Sequence, residues 1–146
     1  MEIEVRIDEN LDDDKIIIVT KSNNKKIENI IKLMRKTEIV GYKENEKYIL
    51  ELSEIESFYT EDNKVMARTK EDTYTIKKRI YEIEEELQNS SFVRISNSEV
   101  VNTNCISKLE YKRGTICLHF KSNNATYVSR RYIKKVKEFI LKEVDG

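Results

Sequence analysis

Two short polar segments, Arg94-Ile95-Ser96-Asn97-Ser98 and Ser129-Arg130-Arg131-Tyr132, hold the side chains best suited to chemistry in this chain. An arginine guanidinium can fork onto guanine N7 and O6, and an asparagine amide can pair with adenine N6 and N7. Serine hydroxyls and further cations suit phosphate oxygens. Each residue also has a plainer reading. Asn97 fits an Asx turn, and Arg131 fits a surface cation paired with an acid. Ser129 fits a helix N-cap better than a contact. Arg94 alternates with Val93 and Ile95 on a strand, and a structural ion pair suits it better than a contact.

The composition narrows the partners. Among 146 residues, 38% are hydrophobic and 37% charged, with zero net charge. The charge is unevenly spread: residues 1–90 hold 16 Lys/Arg against 22 Asp/Glu, and residues 91–146 hold 11 against 5. An acidic front and a basic back make a dipole whose basic end attracts polyanions. There is no secretory signal and no apolar run near 18 residues, so a cytoplasmic chain with reduced thiols is expected. Cys105 and Cys117 then read as small core or half-buried residues. Many Lys, Ile, Asn and Glu, with no Pro, fit an AT-rich bacterial genome. His119 is the single histidine and no C-x-x-C pair exists, which argues against a metal site. No nucleophile–base pair, phosphate loop or carboxylate dyad is placed by a motif, so no enzyme, cofactor or small-molecule substrate is expected.

The elements that must position the polar segments follow from periodicity. Ile3, Val5 and Ile7 alternate as in a half-buried strand, and Ile16-Ile17-Ile18-Val19 reads as a buried one. Asp12-Asp13-Asp14 makes a turn between them. Ser22-Asn23-Asn24 offers N-caps to a helix whose apolar face is Ile27, Ile30, Ile31 and Met34. After a weak boundary between Lys36 and Tyr42, short strands cover Tyr48–Leu52, Ile55–Tyr59, Val65–Thr69 and Thr73–Ile76, with turns at 61–63 and 70–72. A helix with Ile76, Ile80, Ile83 and Leu87 on one face follows, and its Glu82, Glu84, Glu85 and Glu86 form a solvated acidic face. Strands at Phe92–Ile95, Val100-Val101 and Ile106–Tyr111 follow, then a Lys112-Arg113-Gly114 hairpin and an alternating Ile116, Leu118, Phe120 strand. Tyr127-Val128 closes the sheet. Ser129 begins a last helix with Ile133, Val136, Phe139 and Ile140 inward. Linkers this short require antiparallel sheets, so the class is mainly β with short helices (α+β).

Read as a unit, Phe92-Val93-Arg94-Ile95-Ser96-Asn97-Ser98-Glu99-Val100-Val101-Asn102 resembles the central block of the LytTR family of bacterial DNA-binding domains. Asn104, Ile106 and Leu109-Glu110 fit its continuation. Val128-Ser129-Arg130-Arg131-Tyr132-Ile133-Lys134-Lys135-Val136 resembles its closing block, and Glu54-Ile55-Glu56-Ser57-Phe58-Tyr59 its opening strand. The similarity spans about residues 40–140. It implies small antiparallel sheets layered in an elongated sandwich, and transcription regulation in which loops, unlike the more usual helix, enter the grooves of double-stranded DNA. It places a base- or backbone-contacting residue at Asn97 and a groove-contacting one at Arg131. Ser96, Ser98, Arg130 and Lys134 become phosphate candidates. It also aligns a third reading loop with Asn63 and Lys64, although Glu61 and Asp62 beside them would repel phosphate unless they point away. Lys112 and Arg113 remain solvated turn residues.

The front of the chain departs from the many family members with a phosphate-accepting receiver domain: about 40 residues are too few for one. Residues 1–38 instead form a strand–strand–helix leader, and residues 39–146 the LytTR-like domain. Such a leader resembles that of stand-alone LytTR regulators, often encoded beside small membrane proteins. A unit this short buries little core alone. A homodimer on repeated half-sites is therefore expected, with a small membrane protein as a further partner. The competing expectation is a protein–protein module that keeps the fold without binding DNA.

Overall fold

The structure, a computed structural model, describes residues 3–12, 15–34 and 38–145. The chain divides into two units, Met1–Met34 and Arg35–Gly146. In the first unit α1 spans Lys25–Met34. Asn24 starts it: its Oδ1 accepts from the Ile27 amide at 3.1 Å, and its carbonyl accepts from the Glu28 amide. Ile27, Ile30 and Ile31 are half-buried; the Met34 side chain lies outside the described residues.

The two expected leader strands do not form. Residues 3–7 and 16–19 are neither strand nor helix, and Ile3, Val5, Ile7 and Val19 are 79–91% exposed. The alternation that suggested a strand is present, but a strand needs a paired neighbour to satisfy its backbone. Asp8 organises a turn there, accepting from the Asn10 and Leu11 amides. Asp13 and Asp14 of the expected acidic turn lie outside the described residues, while Lys15 donates to the Asp12 carbonyl.

The second unit is antiparallel throughout. Its elements are β1 (Glu38–Lys43), β2 (Glu46–Glu51), β3 (Ile55–Glu61), β4 (Lys64–Thr69), β5 (Thr73–Ile76), α2 (Ile80–Glu86), β6 (Phe92–Ser96), β7 (Glu99–Asn102), β8 (Ile106–Lys112), β9 (Thr115–Phe120), β10 (Ala125–Tyr127) and α3 (Ile133–Asp145). β1 to β7 make one seven-stranded sheet in the order β2-β1-β5-β4-β3-β7-β6, and β8 to β10 a three-stranded sheet in the order β10-β9-β8. Turn chemistry sets the hairpins. Glu44-Asn45 between β1 and β2, and Asp62-Asn63 between β3 and β4, all take positive φ of 50–65°. Tight hairpins demand that geometry, and Asn and Asp tolerate it.

The sequence pattern does not single out β1, because Gly41 interrupts it. That glycine is required: a Cβ there would lie 2.8 Å from Tyr74 Cβ and 2.9 Å from Leu50 Cδ1. Ile76 ends β5 and does not join α2, yet it shares a core with Ile80, Ile83 and Leu87, as its phase suggested.

Two cores lie on opposite faces of the β6–β7 hairpin. Phe92 and Val100 point into the first, with Phe58, Ile55, Ile80 and Ile83. Val93, Ile95 and Val101 point into the second, with Leu118, Phe120, Val128 and Val136. A polar seam joins the two sheets. Buried Glu56 on β3 accepts from the Ser122 hydroxyl and, at 3.2 Å, from Asn124 Nδ2, both in the β9–β10 turn. Glu99 on β7 accepts from Thr126 on β10 at 2.8 Å.

Asn102 ends β7 and is 1% exposed. Its Nδ2 donates to the Ile55 carbonyl at 3.0 Å, and its Oδ1 accepts from Ser91 Oγ at 2.7 Å and the Asn104 amide at 3.1 Å. Asn102→Ala orphans the buried Ile55 carbonyl and removes the two part-buried bonds to Ser91 and Asn104, and is expected to cost roughly 1–3 kcal/mol. Urea unfolding followed by circular dichroism measures this. An unchanged midpoint would show that the three bonds contribute nothing.

Candidate nucleic-acid interface

The β6–β7 turn carries Ser96, Asn97 and Ser98, and Arg94 shapes it from within. Arg94 Nε donates to the Ser96 carbonyl at 3.0 Å and Nη2 to the Asn97 carbonyl at 2.9 Å. Its Nη1 donates to Glu84 Oε1 at 3.2 Å. Arg94 is thus the structural residue that its place on the strand suggested. Glu84 comes from α2, and its other oxygen accepts from Lys135 of α3 at 3.0 Å. Burial works against the Glu84 carboxylate. The hydrogen bonds and charges of Lys135 and Arg94 outweigh it, so its pKa ends below the ordinary glutamate value. Glu84 is therefore no member of a solvated acidic face; it clamps the turn to both helices. Glu86 stays on the exposed face, where it pairs with Lys78 at 2.6 Å.

Inside the turn, Ser96 Oγ accepts from the Ser98 amide at 3.2 Å and lies 3.3 Å from Ser98 Oγ. The Ser98 carbonyl accepts from the Thr60 amide at 2.9 Å. That bond sets the β3–β4 turn beside the β6–β7 turn. Asn63 and Lys64 are exposed there, and so are Glu61 and Asp62. The acids thus share the surface with the cation.

The closing segment joins the same edge. β6 is the last strand of its sheet, and its Ile95 carbonyl accepts from the Ser129 amide at 2.9 Å. This contact occupies part of an open strand edge. Ser129 holds the N-cap position, but its side chain makes no cap bond, contrary to the expected capping role. The reason is local: a 3-10 turn, Arg130–Tyr132, intervenes before α3, and the Ser129 carbonyl accepts from the Tyr132 amide at 2.8 Å. Tyr132 then donates its hydroxyl to Asn97 Oδ1 at 3.0 Å. Its ring centre is 5.9 Å from the Arg94 guanidinium carbon.

Asn97, Ser98, Arg130, Arg131 and Lys134 are exposed, and Ser96 is half-buried. Among the described residues, none forms a hydrogen bond or ion pair with the side chains of Arg130, Arg131 or Lys134. All eight residues singled out in the sequence lie on these three connected segments. The sequence reading missed Tyr132, Glu84 and Lys135 as partners of the turn. The Tyr of the closing block was a visible signal, but its phenol meets Asn97 only through the fold.

The remaining chemistry-bearing residues are accounted for by packing. Glu110 on β8 accepts from Lys112 at 2.8 Å, with Lys108 at 3.4 Å and the His119 ring at 3.2 Å. The Lys112 hydrogen bond leads in holding the Glu110 carboxyl down to about 2. Cys117 is buried, and Cys105 half-buried with its thiol pKa raised by burial. Among the described residues, no group of three or more His, Cys, Asp or Glu is placed to hold a metal. Nor is any helix among them long and apolar enough to cross a membrane.

Comparison with known proteins agrees with this geometry. Residues 45–141 match the model of the LytTr DNA-binding domain. A relative from Staphylococcus aureus strain bovine RF122, named an uncharacterized HTH-type transcriptional regulator, is 40% identical over 101 residues, which is 68% of each chain. A similarly named protein from strain NCTC 8325 is 39% identical over the same share. Among solved structures, the LytTr DNA-binding domain of a Bacillus cereus protein described as a methyl-accepting/DNA response regulator superposes with a TM-score of 0.69 at 22% identity. That match covers 73% of this chain and 98% of the other. The family model covers more than half of the chain, and the fold agrees: the chain belongs to the LytTR family of DNA-binding domains.

Proposed function

We propose that this DNA-binding transcription regulator reads duplex DNA with three connected segments: the β6–β7 turn, the β3–β4 turn and the 3-10 turn before α3. The observation that carries this is the set of exposed cations Arg130 and Arg131 of the 3-10 turn and Lys134 at the start of α3, which have no partner among the described residues, beside the ordered Asn97 turn. Arg131 and Asn97 would meet base edges, while Arg130, Lys134, Ser96 and Ser98 meet phosphates. Asn63 and Lys64 extend the contact, with Glu61 and Asp62 limiting how closely that turn approaches a phosphate. The names of the Staphylococcus relatives speak of an HTH type. In this chain α1, α2 and α3 are separated from one another by strands, which supports loop reading over a recognition helix.

The same reading extends to assembly. Exposed Ile3, Val5, Ile7, Ile16 and Val19 in the first unit support a leader that meets a second copy or a partner such as a small membrane protein. Two copies on repeated half-sites in the cytoplasm would then form the working species.

Arg131→Ala is expected to weaken specific binding by about 1–3 kcal/mol and to relax base preference at one position. Lys134→Ala should weaken all sequences alike and flatten the salt dependence. Gel shifts on a site selected from random duplexes check both, and unchanged affinity in the two variants overturns the reading.

Glu84 makes the turn's integrity dependent on pH. Its folded pKa is lowered, so its contribution is fully present above the ordinary glutamate value near 4.5 and fades as pH falls through the depressed folded value. The stability gap between the wild type and Glu84→Gln should be up to about 1 kcal/mol at neutral pH and should close in acid. Urea titrations at pH 7, 5 and 3 measure it; a gap that widens in acid contradicts the clamp. For assembly, light scattering should give twice the 17.4 kDa chain mass, and a monomer at working concentration rejects the dimer.

A further inference from the structure

The contact between Tyr132 and Asn97 determines what Asn97 can read. An asparagine side chain has one acceptor oxygen and one NH2 group with two donors. Adenine recognition uses both ends at once, accepting from N6 and donating to N7. Here one of the two lone pairs of that oxygen is already taken: Tyr132 donates its hydroxyl to Asn97 Oδ1 at 3.0 Å, and the bond fixes the orientation of the amide. The rest of the residue is fixed as well. The Asn97 carbonyl is held by Arg94 Nη2, and Arg94 is held by Glu84. Tyr132 is positioned independently of Asn97, because its ring packs on the second core and its amide bonds Ser129. Asn97 Nδ2 has no protein acceptor among the described residues, and the residue is exposed.

Resting on the loop-reading proposal above, we infer that Tyr132 is a specificity-determining residue that fixes the Asn97 amide so that its NH2 end leads in reading. Asn97 then favours an acceptor edge, guanine N7 and O6 or thymine O4, over the mixed edge of adenine, whose N6 donor meets an oxygen already bonded and held by Tyr132. Tyr132 touches no base in this arrangement; it acts by holding the amide in one orientation and taking up part of the accepting capacity that adenine would use. Arg131, its neighbour in the 3-10 turn, remains free to read separately.

The test is selection from random duplexes with the full chain, comparing wild type, Asn97→Ala, Tyr132→Phe and Arg131→Ala. Phenylalanine keeps the packed ring and removes only the hydroxyl, and thermal melts of each variant confirm folding. Wild type should select guanine or thymine at one position, and Asn97→Ala should flatten that preference by about tenfold or more. Tyr132→Phe should admit adenine at that same position, bringing it to within a few-fold of the original base. Selection of adenine by wild type at the Asn97-dependent position overturns the inference, as does an unaltered preference in Tyr132→Phe. If Arg131→Ala loses a base preference while Asn97→Ala changes none, loop reading stands and the role of Asn97 and Tyr132 falls. If wild type selects no motif, loop reading itself fails and the inference fails with it.

Discussion

The β6–β7 hairpin is buried on both faces, and the rest of the unit is arranged around that constraint. Successive residues point into different cores: Phe92 and Val100 to one side, Val93, Ile95 and Val101 to the other. A one-residue slip would exchange every one of these side chains, so the register is strongly fixed. The turn at the end of the hairpin inherits that precision. Asn97 is displayed on a short connection between two strands that cannot move without opening two cores. A site on rigid elements holds its geometry better than one on a free loop.

Much of this was legible in the sequence because the signals were local. Alternating apolar runs and Asn- or Gly-containing turns gave β2 to β9 nearly residue by residue, and the paired polar blocks picked out the candidate residues that the fold brings onto neighbouring turns. What could not be read was non-local or negative. Tyr132 meets Asn97 across 35 positions, and Lys135 meets Glu84 across 51. No periodicity encodes such encounters. Glu84 looked like one more exposed acid in a run of glutamates, and only the edge position of β6 brings it beside Arg94. β1 was hidden by Gly41, which serves a close approach to Tyr74 and carries no apolar side chain. The leader failed in the opposite direction. Its alternation is clear, but β pattern without a hydrogen-bonding neighbour does not make a strand.

Zero net charge is a poor guide to the partners of this chain. Many of its acids are engaged internally: Glu84 with Arg94 and Lys135, Glu86 with Lys78, Glu110 with Lys108 and Lys112, and Glu56 within the seam. Each pair cancels at short range, so the distant field is set by what remains unpaired. At the interface edge those residues include Arg130, Arg131 and Lys134. Counterion release depends on such local cations and not on the sum over the molecule.

The same pairs explain why the β6–β7 turn is ordered in the absence of DNA. An asparagine on a free loop would lose backbone and rotamer freedom on binding, at roughly 1–2 kcal/mol per residue fixed. Here Arg94 already bridges the Ser96 and Asn97 carbonyls, Thr60 bonds Ser98, and Tyr132 holds the amide. The ordering cost is met during folding, by the same packing that fixes the hairpin. Arg131 differs, since its guanidinium has no partner among the described residues and its long side chain stays free to adapt. On the proposed reading, the interface combines one pre-set reader with one adaptable reader. A mismatch at the pre-set position cannot be relieved by side-chain movement, so discrimination should be sharper at Asn97 than at Arg131 even where Arg131 contributes more affinity.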